Sequence, residues 1–407
     1  MPWKSNTSQV VGGIDLGSTK VSVVLGEIDQ KGKLTILGTG KSPLEGMEKG
    51  QIVSESSVSA CLRSAVQKAE QKAGVQLKRL ICTAPNFQIE FKKNLGVIVS
   101  RSEDGCISKE DKQECIKKAR NIVKPNESKI LHVIPLQYRV DGKEVSNPIG
   151  IDGTHLEVDA GFVLGNAENL KSLNNCFDDH SLESLGFIYD GLSHSELMLT
   201  KEDRQIGSLL LDIGGHFTKA SYFLNNVMTL STILPVGGES ITSDIATCLK
   251  VTIPEAERLK IIYGTPLISD VDASEVIKIT SREGVKTIKK RLLSQIIEAR
   301  VDELIKLIKK QLGDVFVDAK SIILTGESAQ LSGLSQFVEF RFNKKLKDIP
   351  VVQGLSDQER SSYIGALGAI VYGMKSGIFD KKTPRGLLPK DGFSTVKKWM
   401  PSWLGSS

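Results

Sequence analysis

The chain has 407 residues, 25% charged and 40% hydrophobic, with a net charge of +5 at pH 7. This is ordinary globular composition, long enough for two well-buried domains or four smaller subdomains, and too mildly basic to indicate a nucleic-acid binder. The polar start MPWKSNTSQ lacks the apolar core of a signal peptide and no run is long and apolar enough to span a bilayer; the six cysteines show no CxxC pair, and the five histidines no HxxxH or HExxH spacing. A secretory leader, a spanning helix, a disulfide framework and a zinc site are therefore not expected.

Residues 10–40 read as a β-meander. Apolar runs at Val10–Asp15, Val21–Glu27 and Leu34–Gly40 are separated by a Gly-Ser-Thr turn and by Asp29-Gln30-Lys31-Gly32. Ser54–Ala73 predicts a helix with Val58, Cys61, Leu62, Ala65 and Ala69 on one face and Gly74 at its end. Lys78–Ala84 predicts a buried strand. Residues 86–165 form a different block: a strand pair (Phe87–Phe91, Val97–Val99), a polar helix Lys109–Val123, a strand at Lys129–Pro135 and several turns. That pattern predicts a small α+β insertion.

A second meander follows at Ser208–Ile213, Lys219–Leu224 and Val227–Leu234, with Asn225-Asn226 suited to a tight hairpin. Ser240–Leu249 and Pro254–Tyr263 predict helices. Gly284–Leu312 is the longest helical pattern, its apolar residues from Val285 and Ile288 to Leu312 near a 3.6 period. Ser321–Leu324 predicts a strand, and Ser361–Met374 a helix of small residues able to pack closely on a sheet.

Three glycine-punctuated segments carry the chemistry. In GIDLGSTK a strand delivers Asp15 to a turn where Gly17, Ser18 and Thr19 present backbone N–H groups and hydroxyls, a nest for terminal phosphates. Lys20 adds positive charge, and Asp15 is placed to hold Mg²⁺ through water. Alone, the segment reads equally well as an ordinary hairpin. A second copy at Asp212-Ile213-Gly214-Gly215 repeats the strand, acid and turn, so a doubled domain with a Mg²⁺–triphosphate clamped between the copies is expected. In the third, Gly326 leads into Glu327 and would let backbone approach a flat base.

In this order the three segments resemble the actin-like ATPases. Further stretches narrow the resemblance to the FtsA family of bacterial cell-division proteins: LHVIPLQYRVDG (131–142), NPIGIDG (147–153), LTKEDRQIGSLLLDIGG (199–215), PVGGESITSDIA (235–246), AERLKIIYG (256–264) and IIEAR (296–300). The resemblance covers nearly the whole chain. It implies an α/β, actin-like ATPase fold of two lobes, each with a duplicated mixed-sheet core. It places the first-lobe core at 1–85 and 166–206 and the inserted α+β subdomain at 86–165. The second-lobe core would be 207–239 and 313–375, with a helical nucleotide subdomain at 240–312, a linker at 376–392 and a tail at 393–407.

The resemblance also implies roles. ATP with Mg²⁺ would bind between the lobes. Gly237 and Gly238 would flank the second phosphate hairpin, and Glu257 and Lys260 would approach the nucleotide's sugar and base. Without the resemblance, that last pair reads as a surface ion pair. The FtsZ C-terminal peptide, further copies of the chain, inner-membrane lipids and other division proteins are the implied partners, at the cytoplasmic face of the septal membrane; nucleic acid is not.

The departures bear on activity. The family's second segment commonly reads DIGGGTTD; here His216 and Phe217 replace a Gly and a Thr, and Lys219 replaces an acid. Glu327 stands where a second Gly is common, and a β-carbon at φ > 0 there would be strained. Lys219 is left to pair with phosphate or to point into solvent. ATP binding with weak or absent hydrolysis is expected, and no residue is assigned as a general base. A basic stretch, RFNKKLK from Arg341 to Lys347, reads as a solvated helix face or as a contact for an acidic peptide.

The tail carries a helical stripe of Phe393, Val396, Trp399, Met400, Trp403 and Leu404, with Lys397 and Lys398 beside it. From the residues alone this reads equally as an in-plane membrane anchor or as a tail packing on its own domain or on a neighbouring subunit; the resemblance favours the anchor, since the FtsA family carries its membrane-targeting helix at this position. Pro401 would cost about 3 kcal/mol inside a continuous helix, so a kink or an end near Met400 is expected. A PilM-like pilus-assembly scaffold and a superfamily small-molecule kinase are the alternatives; neither accounts for the tail.

Overall fold

The computed structural model describes residues 8–48, 50–84, 89–102, 104–122, 127–281 and 284–379. They divide into two units. One takes the described residues up to Thr200, then Phe223–Ser231 and those from Val351; the other takes Lys201–Tyr222 and Thr232–Pro350.

The first unit opens with β1 (Gln9–Leu16), β2 (Lys20–Ile28) and β3 (Leu34–Pro43), then a short pair β4 (Met47–Glu48) and β5 (Gln51–Ile52), helix α1 (Glu55–Ala73) and β6 (Arg79–Thr83). Ser54 caps α1 by accepting the Ser57 N–H, and Gly74 ends it at φ 67°. Its apolar stripe of Val58, Leu62, Ala65 and Ala69 is fully buried.

The inserted block follows as β7 (Glu90–Val99), α2 (Lys109–Ala119), β8 (Ser128–Val140), β9 (Lys143–Val145) and β10 (His155–Asn166). Its sheet runs β7-β10-β8-β9, and it has a core of its own, including Ile98, Cys115, Ile116, Leu156, Phe162 and Leu164. The expected strand pair is a single strand here. β7 pairs with β10 without a break from Glu90–Leu164 to Val99–His155; the exposed Lys92 and Lys93 interrupt the apolar pattern, not the strand.

The chain returns through α3 (Ala167–Asp178), β11 (Glu183–Ile188) and α4 (Asp190–Met198). This completes a sheet in the order β11-β6-β1-β2-β3, with β6 parallel to both β1 and β11.

The second unit begins with α5 (Lys201–Ile206) and β12 (Ser208–Ile213), whose six residues are all buried. Strands β13 (Thr218–Leu224) and β14 (Val227–Leu234) meet at Asn225 and Asn226, which count with the first unit and are both at positive φ, the tight primed turn expected of an Asn pair. Next come α6 (Gly238–Leu249), α7 (Ile253–Tyr263), β15 (Val276–Ser281), β16 (Gly284–Lys289), α8 (Lys290–Leu312), α9 (Asp314–Asp318), β17 (Ser321–Thr325) and α10 (Leu334–Phe342). The main sheet has the order β14-β13-β12-β17.

Two expectations change. The long helix starts at Lys290, because 284–289 is strand β16, paired antiparallel with β15 from Val276–Lys289 to Ser281–Gly284. Val285 and Ile288 fitted the helical period by coincidence; the alternation in GVKTIK was the stronger signal. The last helix, α11 (Asp357–Lys375), was expected in the second-lobe core. It belongs instead to the first unit, packed on β1, β2, β6 and α4.

Candidate functional site

The first phosphate-type segment is the hairpin between β1 and β2. Gly17 donates its N–H to the Lys20 carbonyl at 3.0 Å. Ser18 and Thr19 form the half-buried tip, and Lys20 starts β2. Asp15 is held by a residue that the sequence reading did not single out. The hydroxyl of Thr83, at the end of β6, donates to Asp15 Oδ1 at 2.8 Å and accepts the Leu16 N–H at 3.1 Å. Thr83 is fully buried, so the carboxylate has a fixed orientation.

The second hairpin has the same turn. Gly214 donates to the Phe217 carbonyl at 2.9 Å. The start of α6 closes on it: the N–H groups of Gly238 and Glu239 donate to the carbonyls of Gly214 and Gly215, both at 2.9 Å. A β-carbon on Gly237 would stand 2.3 Å from the Gly215 oxygen, so only glycine permits this stacking. Ser328, also missed in the sequence, donates its hydroxyl to the Gly214 carbonyl at 2.9 Å.

Gly326, at φ +97°, lies against the other side of the acid; a β-carbon there would be 2.3 Å from the Ile213 oxygen and 2.5 Å from Asp212 Oδ1. Lys260 donates to the Gly238 carbonyl at 3.1 Å and to the Thr242 hydroxyl at 2.8 Å, and pairs with Glu257 at 2.6 Å. Thr242 in turn donates to Glu257. Glu257 and Lys260 are thus tied to the first turn of α6 and are not an isolated surface pair.

Within the second unit, Asp212, Gly214, Gly215, Gly237, Gly238, Glu257, Lys260 and Gly326 are therefore neighbours. His216 and Glu327 are both exposed. The strain expected at Glu327 is absent, since it lies at φ −68°, ψ −37°, an ordinary helical conformation. Phe217 is buried. Lys219 takes neither expected course: its Nζ lies 3.1 Å from Asp212 Oδ2, with both side chains nearly buried.

The basic run is also largely consumed inside the unit. Arg341 pairs with Asp302 at 2.9 Å, Lys344 donates to the carbonyls of Phe316, Val317 and Ala319 at 2.8 Å each, and Lys347 grips Asp203. It is not a solvated helix face, because α10 ends at Phe342 and Asn343 turns the chain at φ 53°. In the first unit a groove of about 590 Å³ is lined by Thr39, Lys41, Lys68, Lys72 and Tyr363, none of them an expected site residue.

Among the described residues no group of three or more His, Cys, Asp or Glu is placed to hold a metal, and no helix is long and apolar enough to cross a membrane. A magnesium ion held through water and phosphate fits Asp15, whose carboxylate is oriented by Thr83. It does not fit Asp212, which already has an ammonium on one oxygen. The tail residues Phe393, Val396, Lys397, Lys398, Trp399, Met400, Trp403 and Leu404 lie outside the described residues.

The model of the family "Cell division protein FtsA" matches residues 209–365, and that of the "SHS2 domain inserted in FTSA" matches 88–164. The Escherichia coli K12 cell division protein FtsA is 26% identical over 417 aligned positions, covering 98% of this chain and 99% of that protein. The chain belongs to the FtsA family. The Bacillus subtilis FtsA is 29% identical over 339 positions, 82% of this chain and 77% of that protein.

This FtsA chain has the actin-like ATPase fold. A chain of the PilM–PilN type IV pilus biogenesis complex superposes at a TM-score of 0.65 and 14% identity, covering 89% of this chain and 97% of that one. MreB5 of Spiroplasma citri, bound to AMPPNP, gives 0.53 and 11%, covering 89% and 95%. The SHS2 match corresponds to the inserted sheet β7-β10-β8-β9 with α2.

Proposed function

We propose that this protein binds ATP and tethers FtsZ to the inner face of the membrane at the division septum. The observation that carries the reading is the coincidence of the FtsA family match with two hairpins of one design. Each carries an acid one residue before its strand ends and closes on a turn glycine's N–H. Each is a phosphate loop, and Gly326, Glu257 and Lys260 serve the adenosine. Bound Mg²⁺ neutralises phosphate charge; Asp15, held by Thr83, is the carboxylate that would carry it through water. AMPPNP in the MreB5 structure supports a nucleotide in this fold.

Hydrolysis is weak or absent in this reading. Lys219 covers the acid of the second hairpin, so that hairpin does not leave a bare carboxylate for activating water. The nucleotide then governs shape and self-association. The FtsZ C-terminal peptide is the proposed partner, together with other division proteins, and the amphipathic stripe 393–404 is the proposed lipid anchor. The Lys and Trp content of that stripe supports the anchor. The 14% identity to the PilM chain supports the shared fold and nothing finer.

A fluorescent fusion with and without residues 392–407 tests the tether. Mid-cell bands that need the tail are expected; equal bands without it would remove the anchor. An ATP titration with a phosphate-release assay tests the rest. Binding without brisk turnover is expected, and fast steady-state release would overturn the weak-hydrolysis reading.

A further inference from the structure

The two hairpins are copies of one turn, and one of the buried positions at which they differ lies beside the acid. Aligning the turn glycines, Gly17 with Gly214, places Asp15 on Asp212 and Ser22 on Lys219. Asp15 and Ser22 are cross-strand partners on β1 and β2. In the second copy the neighbouring strands β12 and β13 bring the Lys219 ammonium to 3.1 Å from Asp212 Oδ2. The side chains are 8% and 10% exposed. A small hydroxyl faces the acid in one copy; a buried cation faces it in the other.

We propose that Lys219 is a tethered cation that takes the place of a divalent ion at Asp212, so that the second hairpin meets its phosphate ligand without calling on Mg²⁺. A nearly buried carboxylate needs a partner, and Lys219 supplies one at hydrogen-bond distance. Backbone closes the carboxylate's other side, where Gly326 leaves no room for even a β-carbon beside Oδ1. A divalent ion sharing this carboxylate would stand close to the ammonium, in surroundings too dry to screen the repulsion. The lysine is covalently attached, so its occupancy does not depend on Mg²⁺ concentration. The phosphate-binding half of this inference rests on the nucleotide reading above; the charge-compensation half does not.

The test uses the full chain in two measurements. The first is thermal melting without nucleotide, in millimolar Mg²⁺ and in EDTA. Wild type melts at the same temperature in both, whereas Lys219→Ala melts lower in EDTA and is partly restored by Mg²⁺, which enters the vacated position. The second is the affinity for a fluorescent ATP analogue under the same two conditions. The Mg²⁺-to-EDTA affinity ratio rises by at least about tenfold in Lys219→Ala relative to wild type, because the phosphates then meet an acid that has lost its lysine unless metal covers it.

Asp212→Asn with Lys219→Met removes both charges together, guards against a folding failure of the single variant, and keeps the wild-type ratio. Equal ratios in wild type and Lys219→Ala, or a raised ratio in the double variant, would overturn the proposal. If no variant binds the analogue, the nucleotide reading fails, and the melting measurement alone decides the role of the lysine: absence of Mg²⁺ rescue sinks it.

Discussion

A β-carbon on Gly13 would stand 1.9 Å from the carbonyl oxygen of Ala366. Strand β1 and helix α11 therefore meet backbone to backbone at the centre of the first unit, just before the phosphate-type turn. The contact tolerates no side chain on the strand. Gly13→Ala is expected to lower stability by about 3 kcal/mol, the upper part of the range for forced overpacking, read as a lowered urea midpoint with an unchanged slope. A midpoint within error of wild type would mean that α11 shifts freely on the sheet.

Thr83→Val keeps the shape of the side chain but removes the donor to Asp15 and the acceptor for the Leu16 N–H. The buried Leu16 N–H loses its acceptor, at a cost of about 1–3 kcal/mol before water or local shifts relieve it, and the half-buried Asp15 carboxylate loses its donor. ATP affinity should fall as well, because Asp15 is no longer oriented. Thr83→Ser, which retains the hydroxyl, should keep most of both; titration calorimetry alongside urea unfolding separates the two effects.

Gly326→Ala places a β-carbon against the Ile213 carbonyl and Asp212 Oδ1, at a φ of +97° that L-residues rarely adopt. A loss of ATP affinity of about tenfold or more is expected, with a stability loss of about 1–3 kcal/mol from backbone strain. Glu327→Ala, one residue later, is exposed and in ordinary helical conformation; it should leave stability unchanged.

His132 makes the first unit sensitive to acid. It is buried, and burial pushes its pKa down to about 3. Its Nε2 accepts the Tyr189 N–H at 2.9 Å, so the ring proton sits on Nδ1 and is shared with the Tyr372 hydroxyl at 3.1 Å. The unfolded chain takes up a proton near pH 6.5 and the folded one only near 3. The stabilisation is therefore complete above 6.5 and is lost as pH falls from 6.5 toward 3, by about 1.4 kcal/mol per pH unit. His132→Gln should flatten the dependence of melting temperature on pH between 4 and 6.5; an equally steep profile would assign the acid sensitivity elsewhere.

Neighbouring lysines in the basic run should behave oppositely. Lys347 grips Asp203, a nearly buried acid, while the Lys345 side chain is 93% exposed. Lys347→Ala is expected to cost about 2–3 kcal/mol, below the usual figure for breaking a buried pair because the lysine is itself partly exposed. Lys345→Ala should change stability by less than about 0.5 kcal/mol. Parallel urea titrations read both.

Where local signals acted alone, the sequence was readable. The Ser54 and Gly74 caps bound α1, and Asn225-Asn226 marks its hairpin, because each depends on a few adjacent residues. The glycines of the two phosphate-type turns are legible for the same reason. Thr83, Thr242 and Ser328 were not, since a hydroxyl carries no pattern and its partner lies far along the chain: Thr83 is 68 residues from Asp15. The fate of Lys219 was equally hidden, because pairing across strands depends on which face of β13 it shares with Asp212. The small residues of α11 foretold close packing but not against which sheet, and 284–289 carried two periodicities at once.

Helix α11 has a mechanical consequence. Its 19 residues form a rod about 28 Å long. Its far end is pinned where Phe379, fully buried, lies against Gly373. Midway, Gly365 presses on the carboxylate of Asp15. A load on residue 379 would reach this rod through Phe379, and the rod touches Asp15 midway along its length. The packing of Phe379 and the placing of the Asp15 carboxylate are in this way set by one rigid element.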